Sequence, residues 1–110
     1  MKHQITDKET ALIVAFEGDV DLASSPDARK VLLDCVGRKR PVLVDLSRVK
    51  YIDSSGVAAL VEALQTARKG GTRFGLVAVS DATLRVLQLS RLDRVFVIHP
   101  TLVDALTAAG

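Results

Sequence analysis

Pro41-Val42-Leu43-Val44-Asp45, followed after a short connection by Ile52-Asp53-Ser54-Ser55-Gly56-Val57, is the stretch that decides how this chain folds. The first segment is an apolar run of strand length. From Val57 onward, Val57, Leu60, Val61 and Leu64 recur at helical spacing and form one stripe. A buried strand therefore hands over, through a loop from Leu46 to Ile52, to an amphipathic helix. The junction, Asp53-Ser54-Ser55-Gly56, puts two hydroxyls on the first turn of that helix. Backbone N–H groups there have no partner within the helix, and the dipole favours an anion. A serine in this position is a reasonable place to carry a phosphate.

The same alternation extends outward in both directions. Upstream, His3 to Thr6 and Ala11 to Phe16 read as strands joined by the polar turn Asp7-Lys8-Glu9-Thr10, and they can pair as a hairpin. Gly18-Asp19 is expected to end the second strand. A loop from Val20 to Ser25 then leads to Pro26 in a first helical turn, with Ser25 as the N-cap. Ala28, Val31, Leu32, Cys35 and Val36 fall on one face of that helix, and Gly37 is placed to end it. Downstream, Gly70-Gly71 stops the central helix. Phe74 to Val79 reads as a strand covered on both faces. Ser80 or Asp81 caps a short helix bearing Leu84, Val86 and Leu87. Val95 to Ile98 is a fifth strand, and Pro100-Thr101 opens a last helix with Leu102, Ala105 and Leu106. The order β-β-α-β-α-β-α-β-α predicts an α/β fold. It has a mixed, mostly parallel sheet of about five strands with about four α-helices and right-handed crossovers.

Composition narrows the function classes. A chain of 110 residues, 48% hydrophobic, supports a single domain over residues 1–110 with its own core. The net charge of +2 is too small to make nucleic acid the expected partner. Arg29-Lys30, Arg38-Lys39-Arg40 and Arg68-Lys69 are scattered, lie near expected helix C-termini, and have no aromatic platform beside them. Cys35, the sole cysteine, sits on an apolar stripe and reads as a small core residue. No apolar run is long enough to span a bilayer. Met1-Lys2-His3-Gln4 has no hydrophobic stretch, so the chain reads as cytoplasmic without a secretion signal. Nothing in it requires more than a monomer.

Enzymatic chemistry finds little support. The two histidines, His3 and His99, lie at an expected edge strand and at the end of the last strand, outside any recognisable nucleophile–base pair. One cysteine and two distant histidines supply too few ligands for a metal cluster unless carboxylates dominate it, and no cofactor is implied. Neither Gly-x-x-x-x-Gly-Lys nor Gly-x-Gly-x-x-Gly occurs, so a nucleotide site has no motif behind it. Asp53 stands where the first glycine of a Gly-x-Ser-x-Gly elbow would be. The junction does support a charge switch, because phosphorylation of Ser54 adds roughly −1.5 to −2 of charge at neutral pH. Gly56 reads as small enough to let a partner approach closely. On local pattern alone, simple N-capping by Asp or Ser accounts for the segment better than phosphorylation does.

The order of elements and three segments shift that balance. Gly18-Asp19-Val20-Asp21-Leu22-Ala23-Ser24 resembles the Gly-x-(Leu/Val)-Asp loop of the STAS domains, in particular the stand-alone anti-sigma factor antagonists of bacterial partner-switching systems. Val44-Asp45-Leu46-Ser47, with Ile52-Asp53-Ser54-Ser55-Gly56-Val57, is similar to that family's phosphorylation segment. Leu92-Asp93-Arg94-Val95-Phe96 is similar to its approach to the last strand.

The resemblance implies a non-enzymatic module whose Ser54, or Ser55 in a neighbouring register, is phosphorylated by a GHKL-type serine kinase that is also an anti-sigma factor. The unphosphorylated form would bind the kinase and displace its client, and a PP2C-type phosphatase would reset the switch. Asp21, Ser24, Asp53, Ser55, Gly56 and Val57 become candidate partner contacts. A constitutive accessory subunit of an ABC-type lipid-transport ATPase is the alternative that the same resemblance leaves open. The chain departs from the family at Ser90-Arg91-Leu92, where relatives often carry glycine, so Arg91 is expected to take an awkward turn geometry.

Overall fold

A computed structural model describes residues 1–108; the last two residues of the expected 1–110 domain lie outside it. The elements follow the expected order. They are β1 (Lys2–Asp7), β2 (Leu12–Val20), α1 (Ser25–Val36), β3 (Val42–Ile52), α2 (Ser54–Lys69), β4 (Phe74–Val77), α3 (Asp81–Leu89), a short 3-10 turn (Leu92–Arg94), β5 (Val97–His99) and α4 (Leu102–Ala108). One five-stranded sheet runs β1-β2-β3-β4-β5. β1 is antiparallel to β2, and every later pairing is parallel.

Apolar residues on alternate positions of the strands feed two cores. Leu12, Val14 and Phe16 of β2 and Val42, Val44 and Leu46 of β3 face one way. They join Ala28, Leu32 and Cys35 of α1, Leu60 and Leu64 of α2, and Leu87 of α3. The intervening Ile13 and Leu43, with Val77, face the other way and are covered by Ala105 of α4. Cys35 is fully buried, and that burial pushes its thiol pKa up, in keeping with a packing role. Phe96, just ahead of β5, packs on Phe74 with ring centroids 6.4 Å apart.

Several boundaries differ from the sequence reading. β3 runs through the segment expected to be a loop, and β2 continues past Gly18 to Val20. The reason is two register shifts in the β2–β3 ladder, between Ala15 and Glu17 and between Gly18 and Asp19. At each, β3 advances one residue more than β2, so Leu46, Val49 and Ile52 are buried at intervals of three rather than two. Gly18 takes φ +94° within this irregular stretch. β4 stops at Val77, where Ala78 turns the chain at φ 50°, and β5 starts at Val97 rather than Val95.

Ser24, not Ser25, occupies the N-cap of α1, and Ser25 is buried as the first helical residue. Ser80 caps α3 by accepting from Thr83 N–H. Arg29 lies in the second turn of α1, away from its C-terminus. It forms a two-pronged pair with Glu62 of α2, Nε–Oε2 2.5 Å and Nη2–Oε1 2.8 Å, that ties the two helices together. Met1 Cα lies 3.9 Å from where a Cβ on Gly18 would stand, whereas the Ala108 carbonyl accepts from Arg73 Nη1 at 2.9 Å, just ahead of β4.

Arg91 takes φ 61°, ψ 17°, the left-handed geometry expected of it. An L side chain there costs roughly 1–2 kcal/mol, part of which glycine returns as unfolded-chain entropy. Arg91→Gly is therefore expected to stabilise the fold by about 0.5–1 kcal/mol, read as a raised midpoint in urea with unchanged slope.

Candidate functional site

The site is built where β3 delivers Ile52 into the core and the chain turns into α2. Asp53 keeps extended geometry, φ −109° and ψ −173°, and its carboxylate divides its work. Oδ1 accepts from Ser55 N–H (3.0 Å), Gly56 N–H (3.2 Å) and the Ser55 hydroxyl (2.5 Å). Oδ2 accepts from the N–H of Leu22, 31 residues earlier in the chain, at 3.0 Å. One side chain thus caps α2 and holds the β2–α1 loop against it. The Ser55 hydroxyl bond, followed by the backbone donors, draws the Asp53 pKa below its ordinary value of 3.8.

The loop carries its own bracing. Asp21 Oδ1 accepts from Ala23 N–H and Ser24 N–H, each at 3.1 Å, and Asp21 N–H donates to Ser24 Oγ at 2.9 Å. The Ser24 hydroxyl lies within donating reach of the Asp19 carbonyl (3.0 Å) and of Asp21 Oδ1 (3.1 Å). Leu22 stands out from this braced turn with 76% of its surface in water. It escaped the sequence reading. The available signal was a single leucine in an otherwise small and polar loop.

The residues singled out by sequence fall into three groups. Ser54 is exposed, and its hydroxyl takes no part in the bonds that form the cap. Asp21, Ser24, Asp53 and Ser55 are half-buried, come together around the turn, and are bonded within it. Gly56 and Val57 are buried and support the turn from beneath. At Gly56 the missing side chain makes room for the protein itself: a Cβ there would meet the Val20 carbonyl oxygen at 2.5 Å and Ile52 Cγ1 at 2.8 Å. The first-turn donors expected to be open to an anion are already occupied at Ser55 and Gly56 by Asp53.

His3 and His99 sit on β1 and β5, the opposite edges of the sheet. Four strand spacings, roughly 19 Å, separate those edges. Among the described residues no group of three or more His, Cys, Asp or Glu side chains is placed to hold a metal ion. No helix among them is long and apolar enough to cross a membrane.

A mixed sheet backed by helices, with a braced loop and a capped helix meeting at an exposed serine, defines an α/β module whose distinctive surface is a helix N-terminus. The sequence profile of the STAS domain matches residues 2–105, and the chain belongs to that family. It is 31% identical over 106 residues to the anti-sigma-F factor antagonist RsfB of Mycobacterium tuberculosis, covering 94% of this chain and 84% of RsfB. The crystal structure of an anti-sigma factor antagonist from Mycobacterium paratuberculosis superposes with a TM-score of 0.89 at 32% identity, over 98% of this chain and 92% of that one. SpoIIAA of Bacillus in its phosphorylated form shares the fold, with a TM-score of 0.76 at 17% identity, over 99% of this chain and all (100%) of that one.

Two outcomes follow from this geometry. Gly56→Ala forces a Cβ against a backbone oxygen and should cost about 1–3 kcal/mol, measured by denaturant unfolding. Because the folded Asp53 pKa is depressed, its stabilising contribution is complete above 3.8 and disappears as pH falls through the lower folded value. Thermal melts of wild type and Asp53→Ala should accordingly differ at neutral pH and converge under acid.

Proposed function

We propose that this chain is a cytoplasmic anti-sigma factor antagonist switched by phosphorylation at Ser54. The observation that carries the reading is the contrast between adjacent hydroxyls. Ser54 is exposed and outside the cap network, while the Ser55 hydroxyl is committed to Asp53 Oδ1 at 2.5 Å. A kinase can take Ser54 without dismantling the turn; taking Ser55 would require breaking the cap. Family membership, and the anti-sigma factor antagonists among its relatives, support the role. SpoIIAA, which shares the fold, is known in both unphosphorylated and phosphorylated forms.

In this reading a GHKL-type serine kinase that doubles as the anti-sigma factor binds the surface formed by Asp21, Ser24, Asp53 and Ser55, with Ser54 at its centre. Binding displaces the kinase's client. Phosphorylation then places roughly −1.5 to −2 of charge beside the Asp53 carboxylate. Ser55 and Gly56 have already given their N–H groups to Asp53, so little of that charge is neutralised locally. Burying it against a partner is unfavourable, and the complex dissociates. A PP2C-type phosphatase restores the hydroxyl.

Incubation with ATP and the cognate kinase should place phosphate on Ser54, as mapped by mass spectrometry. Ser54→Ala should bind the kinase like the unmodified protein. Ser54→Asp should bind about a hundredfold more weakly, a difference of ~3 kcal/mol. Equal affinity of the two variants, or transfer to neither Ser54 nor Ser55, sinks the proposal.

A further inference from the structure

We propose that Leu22 is the apolar anchor with which this surface docks the serine kinase, and that Asp53 positions it. The inference rests on the reading of Ser54 as the switch and adds a residue and a physical role to it. Three observations converge on Leu22. Its side chain is 76% exposed, while its own N–H is fixed by Asp53 Oδ2 at 3.0 Å. The turn on either side of it is closed by Asp21 and Ser24, so its presentation is set before any partner arrives. The carboxylate that holds it belongs to the residue directly before Ser54, so anchor and phosphoacceptor are contiguous. Leu89 and Val103 are comparably exposed, but they stand on α3 and α4 and take no bond from the cap.

A prearranged side chain loses little freedom on docking, so more of its burial appears as affinity. Transferring one leucine from water into a socket is worth roughly tenfold to a hundredfold in binding. The charge around it indicates the rest of the partner's chemistry. Asp19, Asp21 and Asp27 line the adjoining depression and outnumber its cationic groups, Lys50 and the Met1 terminus. The matching face of the kinase is an apolar socket bordered by basic side chains. Phosphate on Ser54 then sits one residue from the carboxylate that sets the anchor.

The test measures affinity for the cognate GHKL-type kinase by calorimetry with a non-hydrolysable ATP analogue. Leu22→Ala should bind at least tenfold more weakly and Leu22→Asp about a hundredfold, both with an unchanged melting temperature because the side chain faces water. Asp53→Ser retains a one-oxygen cap but loses the arm to Leu22. It should speed hydrogen exchange at the Leu22 amide and weaken binding more in the wild-type background than in the Leu22→Ala background, where only the direct Asp53 contact is left to lose. Wild-type affinity of Leu22→Ala, in a protein still phosphorylated at Ser54, overturns the anchor and leaves the switch standing. Additive losses from Asp53→Ser and Leu22→Ala overturn the positioning role. A wild-type protein neither bound nor phosphorylated refutes the switch itself and the anchor with it.

Discussion

The carboxylate of Asp53 must satisfy donors from two parts of the chain at once, and the geometry of the site follows from that demand. Its Oδ1 closes the first turn of α2 while its Oδ2 reaches Leu22. An N-cap needs only the first of these. The second converts a local device into a tertiary one, since it sets the distance between a helix start and a loop that comes from another strand. Depression of the Asp53 pKa is the electrostatic record of the same arrangement: four hydrogen bonds favour the charged form.

That reach is possible only because β2 and β3 end side by side. Val20 pairs with Ile52, and the Val20 carbonyl accepts from Asp53 N–H at 3.3 Å. The same carbonyl is what a side chain at position 56 would strike. Glycine there, a paired carbonyl and a two-armed carboxylate are three aspects of one close approach. The two register shifts upstream bring it about. They let β3 gain on β2 so that both strands finish at the level of the helix start.

Much of this architecture was legible from residue order. The stripes on α1 and α2 appear at the expected positions because helical periodicity survives wherever one face is buried. The parallel strands were visible as apolar runs for the same reason. What escaped was whatever depends on partners distant in sequence. The Leu46–Ile52 segment loses its alternation because the ladder slips, so a strand reads as a loop. Ser24 and Ser25 are both good caps in isolation; Ser24 takes the position, yet its hydroxyl is bonded to the Asp21 loop rather than to the helix. In sequence Gly56 reads as space for a visitor, whereas the Val20 carbonyl occupies it. In the site, Ser54 and Asp53 could be identified by their neighbours in the chain, but the bond to Leu22 spans 31 residues and leaves no local trace.

The first residue of the chain and the last helix are anchored in different parts of the fold. Met1 emerges beside Gly18 and lines the same depression as Asp21 and Ser24, whereas Ala108 is fastened by Arg73 at the far end of the sheet. A group attached through Met1 is held at high effective concentration over the β2–α1 loop. The Ala108 end of α4 is held by Arg73 instead, apart from the residues that line that depression. For a module of this kind, the point of attachment is itself a form of control over access.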